Sequence, residues 1–488
     1  MTAQFLAFDL GAESGRAMLG TLDHGVLGVR EIHRFVNQPV RQNGSLQWDI
    51  LHLWQEMRRA LELNGARLDS IGVDSWGVDY ALIGERGDLL ENPYHYRDGR
   101  TAGAMEAVFE RVCRERIYAI TGIQFLPINT IYQLFAACRA TPKLIDAARA
   151  LVTIPDLLNY WLTGALTAEY TVATTTQFID ARTRTWARRM LEEIGLPTRL
   201  LQPLVEPGTI IGPLQPSVST NFAGTPVVAP ACHDTASAVA SLSANGTTAF
   251  LSSGTWSLLG TEVDAPVINA NALALNFTNE GGVCGTTRLL KNIGGLWLLQ
   301  ACRVHWRSHG QDLPYEMLVS GAADERLAFR SLIDPDYPPF MNPADMPATI
   351  AGYCRMTGQP EPDSPTAFAR TILESLAFKY RAVLESLEAL TGRRFDELRI
   401  VGGGARNPLL KQWTANATGR TVTAGPAEAT ALGNIGLQMM ATGAVGSLAE
   451  AREVIDRSFP VERFDPIDAD RWDAEYRRFQ QYVELTCA

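Results

Sequence analysis

Asp234 is the side chain best placed to take a proton. It lies in Pro230-Ala231-Cys232-His233-Asp234-Thr235-Ala236-Ser237-Ala238, where a buried, strand-like run over 225–231 gives way to a helix of small residues. An Asp at such a junction ordinarily caps the helix. Two features favour chemistry: the Thr, Ala and Ser that follow let a ligand or a neighbouring backbone come close, and the segment ends just before a joint in the chain. A carboxylate there can accept a hydroxyl proton as the oxygen attacks a phosphoryl group. His233 is the one suggestively placed histidine of seven.

Groups suited to phosphates occur twice. Phe8-Asp9-Leu10-Gly11-Ala12-Glu13-Ser14-Gly15-Arg16 and Phe250-Leu251-Ser252-Ser253-Gly254-Thr255-Trp256-Ser257 each join two strand-like runs through a turn of small or hydroxylic residues. Small residues bring backbone N–H groups close to an anion, and Ser or Thr adds a hydroxyl donor. Two such turns suggest a cleft between related domains and a nucleotide-driven enzyme. Asp9 is either a turn former or the group that orients a hydrated Mg2+. Arg16 reads equally as a structural surface residue or a phosphate contact. Glu13 would repel the ligand, so its side chain is expected to turn outward. Gly402-Gly403-Gly404 is a tight turn or a flat seat for a base or ribose. Neither GxGxxG nor GxxxxGK[ST] occurs, which disfavours a dinucleotide site and removes the P-loop class. Trp76-Gly77-Val78-Asp79 and Tyr96-Arg97-Asp98-Gly99-Arg100 gather rings and charges at strand ends, as sugar sites do and as solvated loops over a core Trp also do.

These groups need a scaffold. Strands are predicted over 5–10, 16–22, 28–36, 70–74 and 80–83, with a helix carrying Leu51, Trp54, Met57 and Leu61 on one stripe. From 97 to 214 the pattern is mostly helical, read as an insertion that carries specificity loops. The second half repeats strands around 252–255, then a helix with Trp297. A long helix over 364–390 follows, with Ser364 as cap, Pro365 at its first position and Gly392 at its end. A final helix stripes Trp472, Tyr476, Phe479 and Val483 for packing. The whole reads as mixed α/β layers in two domains, 1–243 and 244–488, with the joint within 241–248.

At 488 residues the chain exceeds one core. Its 43 basic against 53 acidic residues argue against nucleic acid as the main partner. The seven cysteines (113, 138, 232, 284, 302, 354, 487) make no CxxC pair, Met1 runs straight into a strand, and no apolar run reaches membrane-spanning length. A cytoplasmic protein with reduced thiols is expected, without a membrane or nucleic-acid partner. The oligomeric state stays open, with a monomer preferred.

Asp9 through Arg16, His233-Asp234-Thr235, Ser253-Gly254-Thr255 and Gly402-Gly403-Gly404, in that order, resemble the FGGY carbohydrate kinases. Asp74 through Asp79, Gly122 through Pro127, Ala173 through Gln177 and Leu290 through Gln300 extend the likeness from the N-terminus to the final helix, toward the family's ketose kinases. The resemblance implies an α/β protein of two ribonuclease-H-like (actin-like ATPase) domains with an interdomain cleft, using ATP and Mg2+ to phosphorylate a ketose at O1. It implies Asp234 as base, with Gly77, His233, Asp234, Thr235 and Asn292 at the sugar. Ala12, Glu13, Ser14, Gly15, Arg16, Thr255, Gln300 and Gly403 would hold ATP, and Asp9 would sit near Mg2+ through water. Ala12 stands where the broader family often has Thr, which removes one hydroxyl from the phosphate turn. The rivals are another sugar or polyol kinase of the family and a non-catalytic actin-like ATP-binding protein.

Overall fold

The computed structural model describes residues 2–243 and 246–487, so two residues of the expected joint lie outside the described residues. Compactness divides the chain into two units that are not simply its two halves. The first comprises residues 1–243, 262–289 and 428–460; the second comprises 244–261, 290–427 and 461–488.

The first unit is built on a six-stranded sheet. Its strands are β1 (Ala3–Leu10), β2 (Ser14–Asp23), β3 (Val26–Val36), β4 (Ser70–Ser75), β5 (Thr209–Pro213) and β6 (Pro226–Ala229), ordered β5-β6-β4-β1-β2-β3. β1 and β2 form an antiparallel pair, while β4 lies parallel to both β1 and β6. Phe5, Leu6, Ala7 and Phe8 are all fully buried, as a strand covered on both faces requires. The helix Ala429–Ala441 covers one face, with Leu432, Ile435 and Met439 packed against Phe5, Ala7 and Met18. The same helix meets the helix Asp234–Ala240 at Gly433, where an added Cβ would stand 1.7 Å from the Ser237 carbonyl oxygen. Only glycine permits that approach. The region over 97–214 is mostly helical as expected, but it also contributes Ala148–Thr153, an antiparallel partner of the strand Tyr80–Gly84.

In the second unit, β7 (Thr248–Ser253) pairs antiparallel with β8 (Trp256–Val263) and parallel with β9 (Glu397–Val401). β10 (Thr421–Ala424) continues in parallel and β11 (Glu462–Phe464) closes antiparallel. The hairpin-then-parallel theme of β2-β1-β4 thus recurs in β8-β7-β9. The long helix spans Pro365–Thr391, with the Ser364 hydroxyl accepting from Ala367 N and Gly392 at φ 65 after its end. Trp472, Tyr476 and Phe479 of the final helix stack around Phe378 at centroid distances of 5.1–5.9 Å. That stripe is a packing surface.

Candidate active site

Strand register brings the first unit's charges together. Asp9 is paired across β1–β2 with Arg16 and across β1–β4 with Asp74, so three charged residues sit abreast on adjacent strands. Arg16 makes ion pairs with Asp9 and with Glu428. Burial works against the Arg16 charge, yet the Asp9 and Glu428 carboxylates hold its pKa above the ordinary value. Asp9 is raised by burial, opposed by Arg16 and reinforced by the Asp234 charge. Asp74 is raised well above the usual carboxylate range by burial and then by Asp9. Its Oδ2 accepts from Asn434 Nδ2 at 2.6 Å, while its Oδ1 has no hydrogen-bond partner among the described residues.

The turn between β1 and β2 is closed by Gly11 N donating to Ser14 O at 2.9 Å. Asn37 brackets it, its N donating to Glu13 O and its Nδ2 to Gly11 O, both at 2.9 Å. Glu13 is exposed, in keeping with an outward side chain; Ala12 and Ser14 are half-buried. Gly15 faces inward, where a Cβ would strike the Phe35 ring.

Asp234 is the first residue of its helix; His233 occupies the cap position. Asp234 therefore does not cap that helix. Its Oδ1 accepts from Thr235 N at 2.5 Å and Thr235 Oγ1 at 3.1 Å, and His233 Nε2 stands 3.5 Å away. No described residue hydrogen-bonds Oδ2, and the side chain is 30% exposed. One oxygen is held and the other is open.

The short helix Tyr170–Thr175 fixes the surroundings. Glu169 caps it, accepting from Thr171 N, Thr171 Oγ1 and Val172 N, and also from Cys232 N at 3.0 Å. Burial pushes the Glu169 carboxyl up to about 8, against those four donors. Thr171 Oγ1 takes His233 N at 3.2 Å, Thr174 Oγ1 takes Gly281 N at 2.8 Å and Thr175 Oγ1 takes Val78 N at 3.0 Å. One turn of threonines thereby ties three distant segments together. Val78 holds φ 65, a strained setting for a β-branched residue, and its carbonyl accepts from Thr130 Oγ1 at 2.6 Å. Gly77, beside it, has no room for a side chain against Thr175. Asp79 gathers Trp48 Nε1 at 2.6 Å, Trp76 Nε1 at 3.0 Å and Gln133 Nε2 at 2.8 Å, making this aromatic cluster a rigid wall.

The second unit carries the other turn. Gly254 N donates to Trp256 O at 2.8 Å, and Leu296 N and Trp297 N donate to the carbonyls of Gly254 and Thr255. A Cβ on Gly295 or Gly402 would come within 3 Å of the backbone of residues 253–256, and one on Gly404 would strike the Ser253 side chain. Gly403 is the exposed member of the triplet, with nothing near its missing side chain. Thr255 is half-buried, Gln300 lies on the helix Trp297–Ser308, and Asn292 lies on the strand Thr287–Gly294 and belongs to the second unit, whereas Gly77, His233, Asp234 and Thr235 belong to the first.

Reasoning from sequence did not single out Asp74, Glu169, Glu280, Arg288 or Glu428. An acid closing the apolar run Ile71-Gly72-Val73 was the available signal for Asp74; the others give none locally.

The two-unit fold is that of solved sugar kinases. A xylulose kinase from Lactobacillus acidophilus superposes with TM-score 0.79 over 99% of this chain and 97% of that one, at 18% identity. The N-terminal domain model of the FGGY family of carbohydrate kinases matches residues 4–241 and the C-terminal domain model matches 249–442. The chain belongs to this family and is a carbohydrate kinase with ATP as phosphoryl donor. It is 46% identical to a rhamnulokinase of Bacteroides thetaiotaomicron, covering 99% of this chain and 100% of the relative. It is 45% identical to a rhamnulokinase of Pectobacterium atrosepticum, over 97% and 95%. Among the described residues no helix is long and apolar enough to cross a membrane.

Proposed function

We propose that the chain transfers the γ-phosphoryl group of ATP to O1 of L-rhamnulose, giving L-rhamnulose 1-phosphate and ADP, as a step of L-rhamnose degradation. The observation that carries the chemistry is the divided Asp234 carboxylate, Oδ1 saturated by Thr235 and Oδ2 open. The choice of sugar is supported by the identity to rhamnulokinases along the whole chain. Asp234 Oδ2 takes the O1 proton as O1 attacks the γ-phosphorus and the bond to ADP breaks. A positioned base of this kind supplies roughly 10²–10⁴-fold. Gly77, His233, Thr235 and Asn292 bind the ketose; Ala12–Arg16, Thr255, Gln300 and Gly403 hold ATP. The catalytic half is 1–243 and the nucleotide half 244–488, in a cytoplasmic monomer.

Mg2+ keeps several waters and takes one or two carboxylates. The described residues offer no group of three or more His, Cys, Asp or Glu that could hold a metal, but Asp9 and the unpartnered Asp74 Oδ1 lie side by side. That donor set fits a cation held by Asp9 through water. When bound, such a cation offsets charge on the phosphoryl oxygens.

A coupled ADP-release screen over ketoses and polyols tests the proposal. Turnover confined to L-rhamnulose supports it. Preference for another sugar reassigns the substrate, and ADP release indifferent to every sugar ends the reading.

A further inference from the structure

We propose that Glu280 and Arg288 are positioning residues for the base, fixing the His233 imidazole with its proton on Nε2, the nitrogen that faces Asp234. The inference rests on the reading of Asp234 as base.

Arg288 is fully buried, and its Nε donates to Gly281 O at 2.9 Å. One terminal nitrogen lies 3.1 Å from His233 Nδ1 and 3.1 Å from Glu280 Oε2. A guanidinium has hydrogens to give and no lone pair to receive. The ring nitrogen beside it therefore presents a lone pair. Glu280 Oε2 also stands 3.3 Å from that nitrogen, and its charge is what permits a guanidinium in this interior. Burial lowers the Arg288 pKa, and Glu280 is the strongest of the groups that oppose it. A neutral imidazole whose Nδ1 accepts carries its hydrogen on Nε2.

Nε2 is the ring nitrogen nearer the Asp234 carboxylate. Nε2 is 3.5 Å from Asp234 Oδ1, the oxygen already taken by Thr235 N and Oγ1. Two donors thus hold Oδ1, with Nε2 standing near it, and Oδ2 is left open. The backbone holds the same arrangement, since Thr171 takes His233 N and Thr174 takes Gly281 N from one helix.

The test is 15N NMR of the intact, ligand-free enzyme with labelled histidine. The expected spectrum has His233 Nδ1 unprotonated and Nε2 protonated. Arg288→Met and Glu280→Gln should lose that asymmetry and lower kcat roughly 10- to 100-fold through misplacement of the base. A wild-type ring protonated on Nδ1 overturns the proposal, as do both variants retaining the wild-type tautomer and turnover. Should Arg288→Met not fold, the wild-type spectrum and Glu280→Gln still decide. Because the tautomer is read without substrate, a wrong sugar or an active Asp234→Asn would sink the functional reading while leaving this readout intact.

Discussion

Around the turn over 11–14 the fixed groups are charges: Asp9, Arg16 and Glu428 in ion pairs, with Asp74 and Asp234 in electrostatic reach. Around the turn at 254–255 they are neutral, with Gly295 and Gly402 pressed against the backbone of residues 253–256 and Gly404 against the Ser253 side chain. Similar short sequences are thus held by different physics. The first arrangement is expected to fail when a charge is removed. The second is blind to charge and fails at a single methyl group. In the unit that carries the candidate base, burial and then Asp9, a carboxylate that braces the turn, raise the proton affinity of the neighbouring Asp74.

Removing the proposed base is the severest way to break the contrast. Asp234→Asn is expected to cut kcat by about 10²–10⁴-fold while calorimetric binding of both substrates persists. Near-normal steady-state turnover would remove the base assignment. Next comes Arg16→Met, which leaves Asp9 and Glu428 facing each other uncompensated. Urea unfolding should register a loss of about 2–3 kcal/mol, below the full cost of breaking a buried pair because Arg16 keeps 17% exposure. No change would mean the charges do not brace the first turn. On the other side of the comparison, Gly402→Ala places a Cβ 2.8 Å from the Ser253 carbonyl oxygen at φ 79. The KM for ATP should rise by about tenfold with little change for the sugar, the size of 1–2 kcal/mol of backbone strain. Equal rises for both substrates would erase the distinction.

The smallest effect concerns pH. Burial raises the Asp156 carboxyl to about 7 and Glu169 to about 8, both in the first unit. A raised folded-state pKa gives stability that is complete below the unfolded value and is lost as pH climbs through the folded one. Melting temperature should therefore fall by a few degrees between pH 5 and 8, and Asp156→Asn should flatten the slope. In the second unit, burial opposes the Lys379 charge but Asp336 and Asp334 outweigh it, and the resulting upward shift acts only at alkaline pH. A slope left unchanged by the substitution would place the titrating group elsewhere.

The turn chemistry of Gly11–Ser14, the cap at Ser364, the stripe of Trp472, Tyr476 and Phe479, and the strand-to-helix junction before Asp234 were all legible in sequence. Each depends on neighbours within a few positions. The ion pair from Arg16 to Glu428 was not legible, because that partner is 412 positions away. Nothing local to 429–441 indicated that Gly433 would meet Ser237, nor that Asn434 would reach Asp74.

Sequence alone, then, determined the two turns, the strands that hold them, the acid at the head of a small-residue helix and the resemblance to the FGGY kinases. These follow from steric and hydrogen-bonding rules that act along a few residues of chain. The tertiary structure decided which oxygen of Asp234 is left open, which carboxylates crowd Asp9, and what grips the His233 ring. Those properties sum fields and contacts from Thr171, Glu280, Arg288 and Glu428, residues far apart in the chain that only folding brings together.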